Sequence, residues 1–81
     1  MWIQRHDGSL VNIEKFDTID SAKTNNGYEV RAWDNDNHTI LAIYNEEQQA
    51  AEAKIAIFCS MRKGDKAMTI PYCVTDYGED I

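Results

Sequence analysis

The spacing of apolar residues changes once along this chain, at Asn45, and no other feature constrains the fold as strongly. Before Asn45 the spacing is that of half-buried strands, as in Tyr28-Glu29-Val30-Arg31-Ala32-Trp33, where apolar and charged residues alternate. From Glu46 to Lys63 the period is helical. Asn45 reads as the N-cap, Glu46 and Glu47 suit the positive end of the helix dipole, and Gln48 takes the capping-box position. Arg62 and Lys63 suit the negative end, and Gly64 supplies a left-handed stop. A helix of about 18 residues spans ~27 Å, enough to cross several strands. Its broad apolar side is read as Ala51, Ile55 and Phe58, flanked by Ile57 and Met61.

Turn chemistry divides the rest into strands. Asp7-Gly8 splits Trp2 to Ile13 into a hairpin, and Asn26-Gly27 reads as a type I′ turn. Phe16 to Ala22 is a weaker strand suited to an edge, because Asp17 and Asp20 are poor strand formers. Asp34 to Asn37 turns the chain into His38 to Tyr44, its most strand-like segment. Ala67 to Ile70 adds one more short strand before Pro71. The pattern predicts an α+β fold: an antiparallel β-meander of four to six short strands, with one long amphipathic helix over about 46–63 packed on one face. A chain of 81 residues holds one domain with a thin core, a setting in which self-association adds stability. The acidic end from Asp76 to Ile81 is expected to fray.

Parity then assigns the strand faces. Any even-length loop at Asp34 to Asn37 pairs Trp33 with His38 and groups Tyr28, Val30 and Ala32 with Thr39, Leu41 and Ile43. That set is the expected floor for the helix, and Ile19 joins it if the Asn26-Gly27 turn has two residues. The opposite side carries Glu29, Arg31 and Trp33 with His38, Ile40, Ala42 and Tyr44. It is half apolar where a solvated sheet face is normally polar. Either the N-terminal hairpin folds over it or the sheet curls, or Arg31, Trp33, Ile40 and Tyr44 meet a protein partner or a second copy of the chain, or the strand register slips from the one parity assigns. Trp, Tyr and Arg are the types enriched in binding hot spots.

Chemical motifs are scarce. Asp34 to His38 begins like a calcium loop but lacks Gly at the sixth position and Glu at the twelfth, and such residues cap hairpin turns without an ion. His6 and His38 read as solvated, with no partner to make either a general base. Cys59 falls within the helix, away from the end that would acidify a thiol, and Cys73 follows Pro71-Tyr72 with no basic neighbour. Neither cysteine lies in a metal spacing or a disulfide framework. No cofactor motif is present. Fourteen acidic and eight basic side chains give a formal charge of −6, which repels phosphate backbones and anionic lipid. Nucleic acid and membranes are therefore not expected as partners. The acids are interleaved with lysines and arginines, unlike the dense stripe of a nucleic-acid mimic. With no leader and no apolar run of about 18 residues, a cytoplasmic location with reduced thiols is expected.

Met1-Trp2-Ile3, Leu10-Val11-Asn12, Ile40 to Asn45 and the helix around Ala51 to Ile57 resemble a group of short uncharacterised proteins of Gram-positive bacteria, their phages and mobile elements. The likeness spans nearly the whole chain and carries no active residue. Members of that group often have Leu-Gly where this chain has Ala42-Ile43. The resemblance implies a cytoplasmic accessory protein. The sequence thus points first to a non-enzymatic protein–protein interaction module, self-associating or hetero-associating through the face opposite the helix. A phage or mobile-element protein that modulates a host protein comes second, and a small enzyme a distant third.

Overall fold

Hairpin turns set the strand register here before any packing is considered. The computed structural model describes residues 1–71, so Cys73 and the acidic end from Asp76 lie outside the described residues. Strand β1 (Trp2–Gln4) pairs antiparallel with β2 (Leu10–Asn12) across a loop in which Gly8 has φ 90°. A 3-10 turn (Ile13–Lys15) leads to β3 (Thr18–Thr24), β4 (Gly27–Asp34) and β5 (Asn37–Tyr44), then α1 (Glu47–Lys63) and β6 (Ala67–Thr69). The α+β class predicted from the pattern is the one observed. The strands form two sheets, β3-β4-β5 and β2-β1-β6, with β3 at an edge of the larger one. Strand β6 comes after the helix and runs parallel to β1, whereas all other described pairings are antiparallel.

The β3–β4 loop comprises Asn25 and Asn26, because Thr24 pairs with Gly27. The expected type I′ turn at Asn26-Gly27 is displaced by one residue, and neither Asn25 nor Asn26 has the positive φ that turn type demands. Ile19 still pairs with Ala32 and shares its face, because this displacement preserves parity. Gly27 is needed for a different reason. At φ 128° it lies so close to β5 that a Cβ there would fall 2.7 Å from the Tyr44 carbonyl oxygen.

The β4–β5 loop behaves as parity requires at its closed end: Asp34 pairs with Asn37, Trp33 with His38 and Arg31 with Ile40. Asn35 takes φ 56° in the loop, a conformation Asn tolerates. Beyond Ile40 the register slips. Val30 pairs with Ala42, leaving Leu41 as an extra residue on β5, and Tyr28 then pairs with Tyr44 and Glu29 with Ile43. This bulge corrects the predicted faces. Ala42 and Tyr44 join Val30 and Ala32 in the core under the helix, Leu41 stays in that core, and Ile43 turns to the Glu29 side. Tyr44 is 2% exposed and its hydroxyl donates to the Pro71 carbonyl at 3.0 Å.

Helix α1 is capped by Glu46, whose backbone N–H donates to Gln49 Oε1 at 3.2 Å, one residue later than the predicted cap at Asn45. Gly64 ends it at φ 77°, with the Gly64 and Asp65 amides returning to the carbonyls of Met61 and Ser60. The helix packs on the sheet with Ala50, Ala53, Ile57 and Ser60, spaced three, four and three residues apart. The predicted contact side is therefore corrected too. Ile55, Phe58 and Met61 are 61%, 58% and 50% exposed. Small side chains let a helix axis come close to a sheet, and the buried stripe is the one that allows it. Ile3, Ile13 and Ile70 from the smaller sheet and its turn complete the same core.

Two substitution results follow from these assignments. Ile57→Ala should cost about 2–4 kcal/mol of unfolding free energy, whereas Ile55→Ala, nominally on the same apolar side, should change it by less than about 0.5 kcal/mol, both read from urea midpoints. Gly27→Ala should cost about 2 kcal/mol, because the alanine combines positive φ with a collision against β5 backbone.

Candidate functional site

Of the four residues singled out by parity, the fold brings three together. Arg31 and Trp33 share a face of β4, and Ile40 lies across from Arg31 on β5. Tyr44 is absent from this group, carried to the opposite face by the extra residue at Leu41. The three are half-buried, and their polar atoms are already engaged. Arg31 makes a bidentate pair with Asp20 of β3, with Nε to Oδ1 and Nη2 to Oδ2 both at 3.0 Å. Trp33 Nε1 donates to the same Asp20 Oδ1 at 3.0 Å, and the Arg31 guanidinium lies 5.1 Å from the Trp33 ring centre. The Trp33 ring also meets the His38 ring, with centroids 4.6 Å apart and planes tilted by 44°. Arg5 Nη1 reaches over from the smaller sheet to donate to the Ile40 carbonyl at 2.9 Å.

This cluster is a cross-strand brace built on Asp20. Burial works to raise the Asp20 carboxyl, but hydrogen bonds from Arg31 and Trp33, with the positive charges of Arg31 and Lys54, outweigh it and hold the group below the usual carboxylate range. A depressed native pKa adds stability that is fully present above the ordinary carboxylate pKa and disappears as pH falls through the native value. Further along the same face Glu29 is 6% exposed and accepts from Thr24 Oγ1 at 3.0 Å. His6, read as solvated from sequence, lies with Nε2 3.2 Å from the Ile70 carbonyl oxygen. Cys59 is an exposed free thiol on the helix.

The larger unsatisfied surface lies elsewhere. Two hollows flank the 3-10 turn, and both are lined by Ile13 and Met61. One, of about 520 Å³, opens between Trp2, Glu14, Met61 and Lys66. The other, of about 270 Å³, is an apolar groove between Phe16 and Ile19 on one bank and Ile57 and Phe58 on the other, with Lys54 at its rim. Ile55, Phe58 and Met61 continue this apolar character along the outer side of α1, where Arg62 lies 5.8 Å from the Phe58 ring centre. Among the described residues no group of three or more His, Cys, Asp or Glu side chains converges as a metal site, and no helix is long and apolar enough to cross a membrane.

Sequence reasoning placed Ile55, Phe58 and Met61 against the sheet because it weighted large side chains over small ones. The signal that would have redirected it was present in the stripe Ala50-Ala53-Ile57-Ser60. Compared with protein-family models, curated proteins and solved structures, the chain finds no match.

Asp20→Asn should lower stability at pH 7 by about 1 kcal/mol, a value held down because the carboxylate is 41% exposed. The gap between the variant and the parent in urea midpoint should narrow as pH falls through the ordinary carboxylate range, where the unfolded chain takes up the proton, and close as it falls through the lower native value of Asp20.

Proposed function

We propose that this protein is a non-enzymatic binding module that engages another protein chain through the outer side of α1 and the groove beside it. The observation that carries this reading is the allocation of side chains on the helix. Ala50, Ala53 and Ser60 meet the sheet with Ile57 as the one large apolar residue among them, whereas Ile55, Phe58 and Met61 are at least half exposed. A helix serving only as a cover buries its large apolar residues, since each contributes roughly 1.5–3 kcal/mol when removed from water. Contiguous apolar surface on a small domain marks a contact site more often than isolated exposed residues do.

The face with Arg31, Trp33 and Ile40 supports the reading less well, because Asp20 already holds the donors of Arg31 and Trp33. The groove beside α1 is lined mainly by the apolar side chains of Ile13, Phe16, Ile19, Ile57, Phe58 and Met61, a lining suited to holding an apolar side chain of a partner. The formal charge of −6 favours a protein partner over nucleic acid or an anionic membrane. A cytoplasmic setting, in which the exposed Cys59 stays a thiol, fits the same reading.

A photo-cross-linking residue tests this directly. Placed at Phe58 in the cells that make the protein, it should yield a discrete adduct of higher mass on irradiation, whereas the same group at Asn35, in the β4–β5 loop, should yield none. No adduct from position 58 at native abundance would refute the reading.

A further inference from the structure

We propose that the chain engaged beside α1 presents an extended segment, which adds as a fourth strand to the open edge of β3 and sets an apolar side chain in the adjoining groove and a carboxylate at Lys54. This rests on the reading of that side of the molecule as a contact surface and names what its occupant presents. Strand β3 is seven residues long and forms one edge of the larger sheet, with no strand beyond it among the described residues. The edges of the smaller sheet, β2 and β6, have three residues each, and at the far edge of the larger sheet Arg5 takes the Ile40 carbonyl of β5. An open edge presents backbone N–H and C=O groups ready to pair with another strand.

Register fixes which groups those are. Thr24 and Gly27 close the two-residue β3–β4 loop as a hydrogen-bonded pair, so by alternation Ala22 and Asp20 also direct their backbone groups to β4. The N–H and C=O of Lys23, Ser21 and Ile19 therefore point away from the sheet. Ile19 also lines the groove, with Ile57 and Phe58 of α1 on the opposite bank. An edge strand with a helix alongside and an apolar groove between them suits an extended chain, which pairs with the open backbone groups and sends alternate side chains into the groove. A helix laid in the groove would leave those groups to water.

Charge narrows the chemistry of the segment. Lys54 stands half-buried at the groove rim, and among the described residues it makes no hydrogen bond or ion pair. Its charge is felt by Asp20, but the Asp20 oxygens are already held by Arg31 and Trp33. Lys23, on the same face of β3 as Ile19, adds a second positive charge, while Asp17 adjoins Phe16 at the other end of the groove. A carboxylate therefore fits at Lys54 and not at Asp17. The net charge of −6 opposes an acidic segment at long range, but screening over about 8 Å at physiological salt leaves Lys54 as the stronger influence on contact.

Random peptides of about ten residues, displayed on phage and selected on the intact protein, should yield sequences with apolar residues at alternate positions and an Asp or Glu beside them. A selected peptide, made synthetically, should slow hydrogen exchange of the Ile19 and Ser21 amides about tenfold or more and leave those of Asp20 and Ala22, already bonded to β4, unchanged. N-methylation of alternate peptide amides should weaken binding about tenfold, and methylation of the amides between them should not. Ser21→Pro, which removes one outward donor at an edge position where proline is tolerated, should weaken it similarly. Lys54→Glu should weaken it about fivefold or more, with recovery when the peptide acid is replaced by lysine. No selected peptide, or one that leaves Ile19 and Ser21 exchange unchanged, would overturn the proposal. So would protection of these amides that rises with protein concentration alone, the mark of β3 pairing with a second copy. If position 58 cross-links a partner in cells while no peptide protects β3, strand addition fails and the binding function stands. If neither result appears, both readings fall.

Discussion

A strand has a period of two, so one additional residue reverses the facing of everything beyond it, and the extra residue at Leu41 exerts that leverage on this fold. Before it, Ile40 faces the Arg31–Trp33 side; after it, Ala42 and Tyr44 face the helix. The reversal delivers Tyr44 to the core, where its hydroxyl ties the end of β5 to Pro71 just past β6. The Ile40 carbonyl beside the bulge is taken by Arg5. Both ties join the larger sheet to the smaller one, so the single core that includes Ile3 and Ile70 depends on where β5 changes face.

The helix answers that sheet with small residues. Beneath it lie Val30, Ala32, Leu41, Ala42 and Tyr44, a floor in which Leu41 and Tyr44 already supply bulk, so Ala50, Ala53 and Ser60 fit where larger residues would overpack. The consequence is functional as well as structural. Close approach along one side of α1 leaves Ile55 and Phe58 outside, next to the groove that opens at Phe16. The polar brace on the opposite face of the sheet works in the reverse sense: by binding Arg31 and Trp33 to Asp20, it removes from contention the residues whose types most suggested a hot spot.

Much of the framework was legible in the residues. Asp7-Gly8, the Asp34 to Asn37 turn, the edge character of the strand around Asp20, the stop at Gly64 and the short strand before Pro71 were all read from local chemistry, because turns and caps are decided by neighbours in sequence. The pairing of Trp33 with His38 followed from counting alone. The candidate site was read less well. The grouping of Arg31, Trp33 and Ile40 survived because it precedes the bulge, and Tyr44 was lost because it follows. The outer surface of α1 was assigned to the interior, since apolar size is a guide to burial only when the facing surface has room for it.

The sequence by itself determined the α+β class, the helix from about 46 to 63 and most of the turns, since each rests on periodicity or on the conformational preferences of a few adjacent residues. Tertiary structure alone decided the division into two sheets, the parallel placement of β6 on β1, the bulge at Leu41 and the side of α1 that packs. Those four outcomes depend on fitting volumes and hydrogen bonds between segments distant in the chain, and no window of sequence contains both halves of such a fit.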